Sequence, residues 1–500
     1  MPPGATVPAC LLALLGAFRG CFTAPTFQTF AAMVVGLVAQ PGRRTVCGML
    51  VGAGLQRAWS HHRAHRFFSH ARWSLDEVGV RLAQLIAARL VGEGERARVV
   101  IDDTLFHRVG KKVFGAAWQH DGSAKGANKI GRGACFVVAA IVVDLPFCSR
   151  PVALPVLFRL WRPAAKDTKG GKGGKGGKGG AAGKGAETSK SCRNSNAGKA
   201  DKSSKNSRAG KTSRSGRAGK SSKGGAGRDC PAKTALAREL VDLLVQALPG
   251  QRVSVAADAA YRGKPLHGMP ANVRFVSRLP RNAELTGPTP PPTGKRGRPR
   301  LRGEHLGKPA DLAATLEWRT ATLVRYGEKV TVEVASVAGQ WHGSWHAASL
   351  RIVLVRRPGR KGFDIALCCT DPDATAEEVL ADYAGRWPIE TAFQNGKQIT
   401  GAGQAHNRLQ AAVERTAPFG LLVQSLVIVW YAQHGNPNQD IDRRLDQAPW
   451  YRTKTDPSYQ DMTAALRRVI ITARFKRTPA DQPTPEEITE IQLAWAAAAA

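Results

Sequence analysis

The sequence predicts an α/β protein in which a strand-rich core with a β-rich insertion lies between a helical N-terminal region and a helical C-terminal region. Three observations carry that expectation. Apolar residues recur at helical spacing through residues 1–95. From Arg98 the pattern changes to short β-prone runs, "RVVID", "ACFVVAAIVVD" and "RPVALPVLFRLW". Past residue 373 the helical period returns. At 500 residues the chain exceeds the size at which one hydrophobic core keeps growing, so more than one domain is expected.

Taken in order, "VPACLLALLGAFRGCFTA" reads as a core helix rather than a signal peptide, because no Lys or Arg precedes it. "GRRTVCGMLVGAGLQRAW" and "SLDEVGVRLAQLIAARLV" both carry i, i+3, i+4 apolar spacing, and Ser74 with Glu77 forms a capping box for the second. "SHHRAHRFFSHARW" between them reads as a basic turn. His61 and His65 stand one helical turn apart, as metal ligands can, but no acidic or thiol partner accompanies them in the sequence. In residues 96–160 the three β-prone runs have no helical pattern between them, which predicts an antiparallel meander. Residues 231–265 add a helix, "TALARELVDLLVQAL", and a strand, "RVSVAAD". Three antiparallel strands, a helix and a strand ending on an acid is the order of a ribonuclease H-like fold, whose first and fourth strands are neighbours.

Residues 161–230 interrupt that order with Gly-Lys repeats, too poor in apolar surface to offset the entropy of ordering, and are expected to be disordered. Residues 266–372 read as a basic linker followed by a β-rich insertion, with Trp318, Trp341 and Trp345 expected in its core. In residues 373–435, Thr375 and Glu378 form a capping box, Trp387 before proline is expected to be extended, and Pro388 suits the first position of the next helix. The run "FGLLVQSLVIVWYA" is shorter than the roughly 18 apolar residues a membrane span needs and reads as a buried helix. Residues 436–500 are read as helical.

Charge is the strongest global signal. Lys plus Arg number 73 against 38 Asp plus Glu, a net +35. The segment Lys166–Arg228 holds 18 basic and 3 acidic residues, 18 − 3 = +15, which leaves 35 − 15 = +20 for the rest. The folded part is therefore basic in its own right and suits a polyanion, with DNA the economical choice. The nine cysteines are irregularly spaced without a C-x-x-C, which points to free thiols in a reducing cytosol and neither a zinc knuckle nor a disulfide framework.

The chemistry is concentrated in one stretch. Tyr383 to Lys397 reads Y-A-G-R-W-P-I-E-T-A-F-Q-N-G-K and contains Y-x2-R-x3-E-x6-K. Glu390 and Lys397 are seven positions apart and share one helix face, about two turns from each other. Upstream, Asp102 and Asp103 in "RVVIDDTLF" and Asp258 in "VSVAADAAYRG" each follow a short apolar run. A carboxylate at a buried strand end is costly unless compensated. Three together would compensate one another through divalent cations, as in the two-metal sites that cut and join phosphodiesters.

This pattern resembles the DDE transposases of bacterial insertion sequences, in the group whose third acid sits in a Tyr-Arg-Glu-Lys signature. The resemblance runs from about Arg98 to Arg408. It implies a ribonuclease H-like catalytic core with Asp103, Asp258 and Glu390 as the catalytic, metal-binding triad for two Mg²⁺ or Mn²⁺ ions. Family members favour an Asp followed by Thr or Ser, which selects Asp103 before Thr104. Strand alternation alone leaves Asp102 open. Tyr383, Arg386 and Lys397 are implied as DNA contacts. Arg296 and Arg298, in "GRPR", suit an AT-hook arm in a minor groove or simply a basic linker. The implied partner is double-stranded DNA, both transposon ends and target, bound by a homodimer without any membrane. The implied activity is strand cleavage and strand transfer at terminal inverted repeats, often through a hairpin, in a bacterial cytoplasm and near the nucleoid. The helical residues 1–95 would then bind the transposon ends. A non-transposing nuclease, or a DNA-binding protein derived from a transposase, is the alternative.

Overall fold

The computed structural model describes residues 5–122, 124, 129–163, 230–291, 300–325, 328–475 and 485–491. The Gly-Lys insertion, at 164–229, and the arm with Arg296 and Arg298 fall outside these residues.

Five helices come first: α1 (Ala9–Gly16), α2 (Ala24–Ala39), α3 (Val46–Gly52), α4 (His61–Ser69) and α5 (Leu75–Leu90). Helix α2 is buried along most of its length because it is apolar nearly all round. It crosses α3 at backbone distance, since a Cβ on Gly36 would lie 1.8 Å from the Met49 carbonyl oxygen. The "SHHRAHRFFSHARW" segment, expected as a turn, forms α4. Ala64, Phe67 and Phe68 at i, i+3, i+4 give it a buried face, and Ser60 caps its first turn. Phe67 stacks on Trp73 with ring centroids 5.0 Å apart, so this aromatic packing decides the conformation over the local charge.

The strands follow. They are β1 (Ala97–His107), β2 (Ala117–His120), β3 (Ile130–Val143) and β4 (Val152–Trp161), then helix α6 (Lys233–Ala247), β5 (Val253–Ala257) and β6 (Val273–Arg278). Next come β7 (Leu285–Thr286), β8 (His305–Gly307), α7 (Pro309–Thr315), β9 (Arg319–Arg325), β10 (Glu328–Gln340), α8 (His342–Trp345), β11 (Ser349–Arg356) and β12 (Ile365–Cys369). The chain closes with α9 (Ala376–Ala384), α10 (Pro388–Gln398), α11 (Gln410–His434), α12 (Pro437–Gln447) and α13 (Tyr459–Phe475).

Among the described residues the strands form one 12-stranded sheet, ordered β2-β3-β1-β5-β6-β12-β11-β10-β7-β8, with β4 also on β3 and β9 also on β10. The β1–β3–β4 meander is antiparallel. β5 joins β1 in parallel, with Ile101 opposite Ala257, so the strands before the two upstream acids are neighbours. The strands of residues 285–369 do not form a sheet of their own. β12 pairs with β6 and continues the core sheet outward. In that region Trp341 and Trp345 are buried, as expected, and the Trp318 ring lies 3.9 Å under the Arg356 guanidinium. Helix α11 runs longer than its apolar run suggests, over 25 residues, and by length and apolarity could cross a membrane, yet 89% of its apolar window is buried inside the fold.

Candidate active site

Strand β1 places Asp102 and Asp103 next to each other, and the pleat turns them to opposite faces. The pairing of β1 with β3 runs without a register shift from Arg98 to His107, so no bulge disturbs the alternation. Asp258 is the first residue after β5. Continued by one rung, the Ile101–Ala257 pairing brings it level with Asp102. Its side chain accepts the Ala260 N–H at 2.8 Å and its carbonyl accepts the Tyr261 N–H at 3.2 Å, which fixes the turn that ends the strand.

The signature segment supplies the other half. The Thr375–Glu378 capping box starts α9, and Pro388 lies in the first turn of α10. Trp387, expected to be extended before proline, is instead helical, with φ −61° and ψ −35°. The bend between α9 and α10 is held by hydrogen bonds from the Arg386 N–H to the Tyr383 carbonyl and from the Glu390 N–H to the Trp387 carbonyl. These outweigh the steric preference of a residue before proline. The tight bend buries Arg386 and aims it at the sheet. Its guanidinium donates to the Asp102 carboxylate at 3.3 Å and to the Glu390 carboxylate at 2.9 Å.

Asp102, Arg386 and Glu390 are thus brought together, with Asp258 close enough to repel Asp102. Burial pushes the Asp102 carboxyl up to about 7, against the Asp103 N–H bond and the Arg386 charge, which favour ionisation. The same Arg386 gains from its carboxylates more than burial takes from it, so its guanidinium is held above its ordinary value.

Asp103, expected to be the first acid, occupies the other face. Its carboxylate takes the Lys233 ammonium from α6 at 2.7 Å, the Cys135 thiol at 3.3 Å and the Tyr261 hydroxyl at 3.2 Å. Burial, then the neighbouring Asp103 charge, pushes the Cys135 thiol up to about 12, so it stays protonated and donates. Sequence reasoning missed Lys233, Cys135 and Tyr261. Tyr261 follows Asp258 by three positions in the motif already noted, and that proximity was the only available signal.

The remaining signature residues are also placed. Tyr383 is half-buried, and its hydroxyl is raised by burial against the pull of Arg386 and Arg278. Lys397 lies two turns along α10, with its ammonium 5.5 Å from the Phe106 ring, and burial lowers its pKa.

The donors in this region are carboxylate oxygens, the ligands that hard divalent ions take. A buried Asp102 raised to about 7 beside Asp258 is a group short of positive charge, and that fits a cation. Among the described residues, however, no three His, Cys, Asp or Glu side chains lie close enough to share an ion. Arg386 stands between Asp102 and Glu390, and a metal would have to compete with it for their oxygens.

Comparison with known proteins gives a family. The model of the family described as DDE superfamily endonuclease matches residues 17–334, more than half of the chain. The match spans α2 to β10 with Asp102, Asp103 and Asp258, and ends before Glu390. No curated protein sequence matches this chain. Among solved structures, the cryo-EM structure of the piggyBac transposase synaptic complex with hairpin DNA is similar at 10% identity and a TM-score of 0.34, over 98% of this chain and 82% of that one. A likeness that low sets neither fold nor function.

Proposed function

We propose, for a chain that belongs to the DDE superfamily endonucleases, that it is a transposase of the Tyr-Arg-Glu-Lys group from a bacterial insertion sequence. It would bind the terminal inverted repeats of its element and carry out metal-dependent strand cleavage and strand transfer, as a homodimer on DNA in the cytoplasm. The observation that carries this reading is the meeting of Asp102 and Glu390, 288 positions apart in the chain, across Arg386 and beside Asp258. The strand order β4-β3-β1-β5-β6, antiparallel up to β1 and parallel from β1 to β6, supports a ribonuclease H-like core around it.

In this reading the triad is Asp102, Asp258 and Glu390, with Asp102 in the place that the Asp-Thr habit of the family gave to Asp103. Asp103 is already satisfied by Lys233, Tyr261 and Cys135, and it points to the α6 face. Asp102 is level with Asp258, and Arg386 and the Asp103 N–H offset its burial only in part. The triad would hold Mg²⁺ or Mn²⁺, whose chemistry is to activate an attacking oxygen and neutralise charge at a phosphodiester. Arg386 bridges the Asp102 and Glu390 carboxylates and fixes their separation before DNA arrives. Lys397, on the same helix face, reaches the phosphate backbone as a point charge. Tyr383 interacts with the Arg386 guanidinium through its hydroxyl and helps to hold its orientation.

The test is nicking and strand transfer of DNA carrying the element's own ends, in Mg²⁺ or Mn²⁺. Glu390→Gln removes a metal oxygen without altering DNA recognition, so it abolishes cleavage while end binding persists. Near-normal cleavage by that variant would remove Glu390 from the site. Cleavage without strand transfer by the intact protein would point to a nuclease that does not transpose.

A further inference from the structure

The hairpin beyond the end of β1 exposes apolar side chains that a stable surface would cover. Trp118 on β2 is 69% exposed, Ile130 at the start of β3 is 58% exposed, and Val109 in the segment joining β1 to β2 is 91% exposed. Cross-strand pairs set their faces. Trp118 is opposite Arg132 and His120 is opposite Ile130, so these four side chains share one face of a two-stranded ribbon.

That face is continuous with the acids. Asp102 is opposite Val138 on β3, and Val138 and Arg132 differ by six positions, an even number. With alternation unbroken along this stretch, Trp118 lies on the same face of the sheet as Asp102. Phe106, four positions after Asp102, is on that face too, and it carries the Lys397 ammonium. From Asp102 to His107, where the ribbon begins, five residues of strand cover about 17 Å, roughly five base steps of a duplex.

The surroundings are cationic. Lys111 and Lys112, in the segment that leads into β2, and Lys129, just before β3, are exposed. The single acid in residues 108–122, Asp121, is buried against His107 at 2.6 Å and presents no charge to a partner. An exposed indole near exposed lysines is the chemistry of nucleic-acid binding, in which the ring stacks on a base and the cations take the phosphates.

We propose that this ribbon is a second DNA-binding element, in which Trp118 stacks on a base exposed at a DNA end or nick while Lys111 and Lys112 hold the flanking backbone. The inference rests on the reading of the chain as a DNA-processing enzyme and locates where the DNA runs beyond the acids.

Binding of the full-length protein to a short linear duplex with a single-stranded overhang, measured across a salt series, tests it. Trp118→Ala weakens binding about tenfold at every salt concentration, because stacking releases no counterions. Trp118→Tyr restores most of the affinity, since a phenol ring also stacks. Lys111→Ala with Lys112→Ala lowers the salt slope by about two, one unit for each lost phosphate contact. Circular dichroism shows that all the variants keep the wild-type fold, since the substituted side chains are exposed. Unchanged affinity of folded Trp118→Ala alongside a binding wild type overturns the inference and leaves the enzyme reading intact. Loss of self-association in Trp118→Ala, with DNA binding unchanged, also overturns it and assigns the face to a second copy of the chain. A wild-type protein that neither binds nor cuts DNA defeats the enzyme reading itself.

Discussion

Two clusters of carboxylates sit in this fold, and their environments differ in kind. In the C-terminal helices, Asp440 accepts from the Tyr431 hydroxyl at 2.9 Å and pairs with Arg443 and Arg468. Asp461 takes Arg444 at 2.8 Å, Lys454 at 2.9 Å and both the N–H and hydroxyl of Ser458. Burial alone would raise the Asp461 carboxyl, yet the bonds from Ser458, Lys454 and Arg444 hold it below its ordinary value. Asp102 is also largely buried, but it shares one guanidinium with Glu390 and stands level with Asp258, so its carboxyl is pushed up to about 7. The contrast separates acids that hold helices together from acids left short of positive charge. A carboxylate kept in deficit is poised for a ligand that brings the missing charge.

The largest expected effect falls on activity. Asp102→Asn should lower metal-dependent cleavage by a factor on the order of 10³ or more, while Asp461→Asn should leave the activity per folded molecule near wild type. Asp103→Asn should retain most cleavage, since Asp103 anchors α6 through Lys233; if it alone were inactive, the two aspartates would exchange roles.

Stability should show the reverse ranking. Asp461→Ala leaves Arg444 and Lys454 facing a buried gap and should cost about 3–5 kcal/mol in urea unfolding. Asp102→Ala removes an under-compensated charge and should cost much less. Equal losses from the two substitutions would erase the comparison.

The pH dependence carries a sign for each cluster. Between the ordinary carboxylate value of 3.8 and about 7, native Asp102 keeps a proton that the unfolded chain has released. Its contribution is therefore present at low pH and is lost as pH rises through that window, by at most about 4 kcal/mol. Asp461, held low, contributes in the opposite sense, and its share is lost as pH falls through its depressed value. Metal-free unfolding of Asp102→Asn between these limits should show a flatter decline than wild type.

Lys397→Ala should have the smallest effect. One lost phosphate contact lowers the salt slope of DNA binding by about one and leaves the fold intact. An unfolded Lys397 variant would make its contact with Phe106 structural.

The parts of the site that depend on local spacing were legible in the sequence. The Thr375–Glu378 box, the start of α10 near Pro388 and the two-turn offset of Glu390 and Lys397 follow from helix geometry. So did the β1–β3–β4 meander, because its strands are joined without helices. What escaped depends on distant partners. Alternation states that Asp102 and Asp103 face opposite ways, but the choice between faces is made by Arg386 and Lys233, 284 and 130 residues away in the chain. Aromatic packing that turned a His-rich stretch into α4, and the pairing that joined β12 to β6, are likewise absent from any local window.

Mn²⁺ binding to the full-length protein, followed by the paramagnetic signal of the free ion, compares the two clusters directly. Wild type and Asp461→Asn should both bind Mn²⁺, and Asp102→Asn should bind it far more weakly while remaining folded. Wild-type binding by Asp102→Asn would contradict the account, because the carboxylate in deficit would then not be the one that takes the metal.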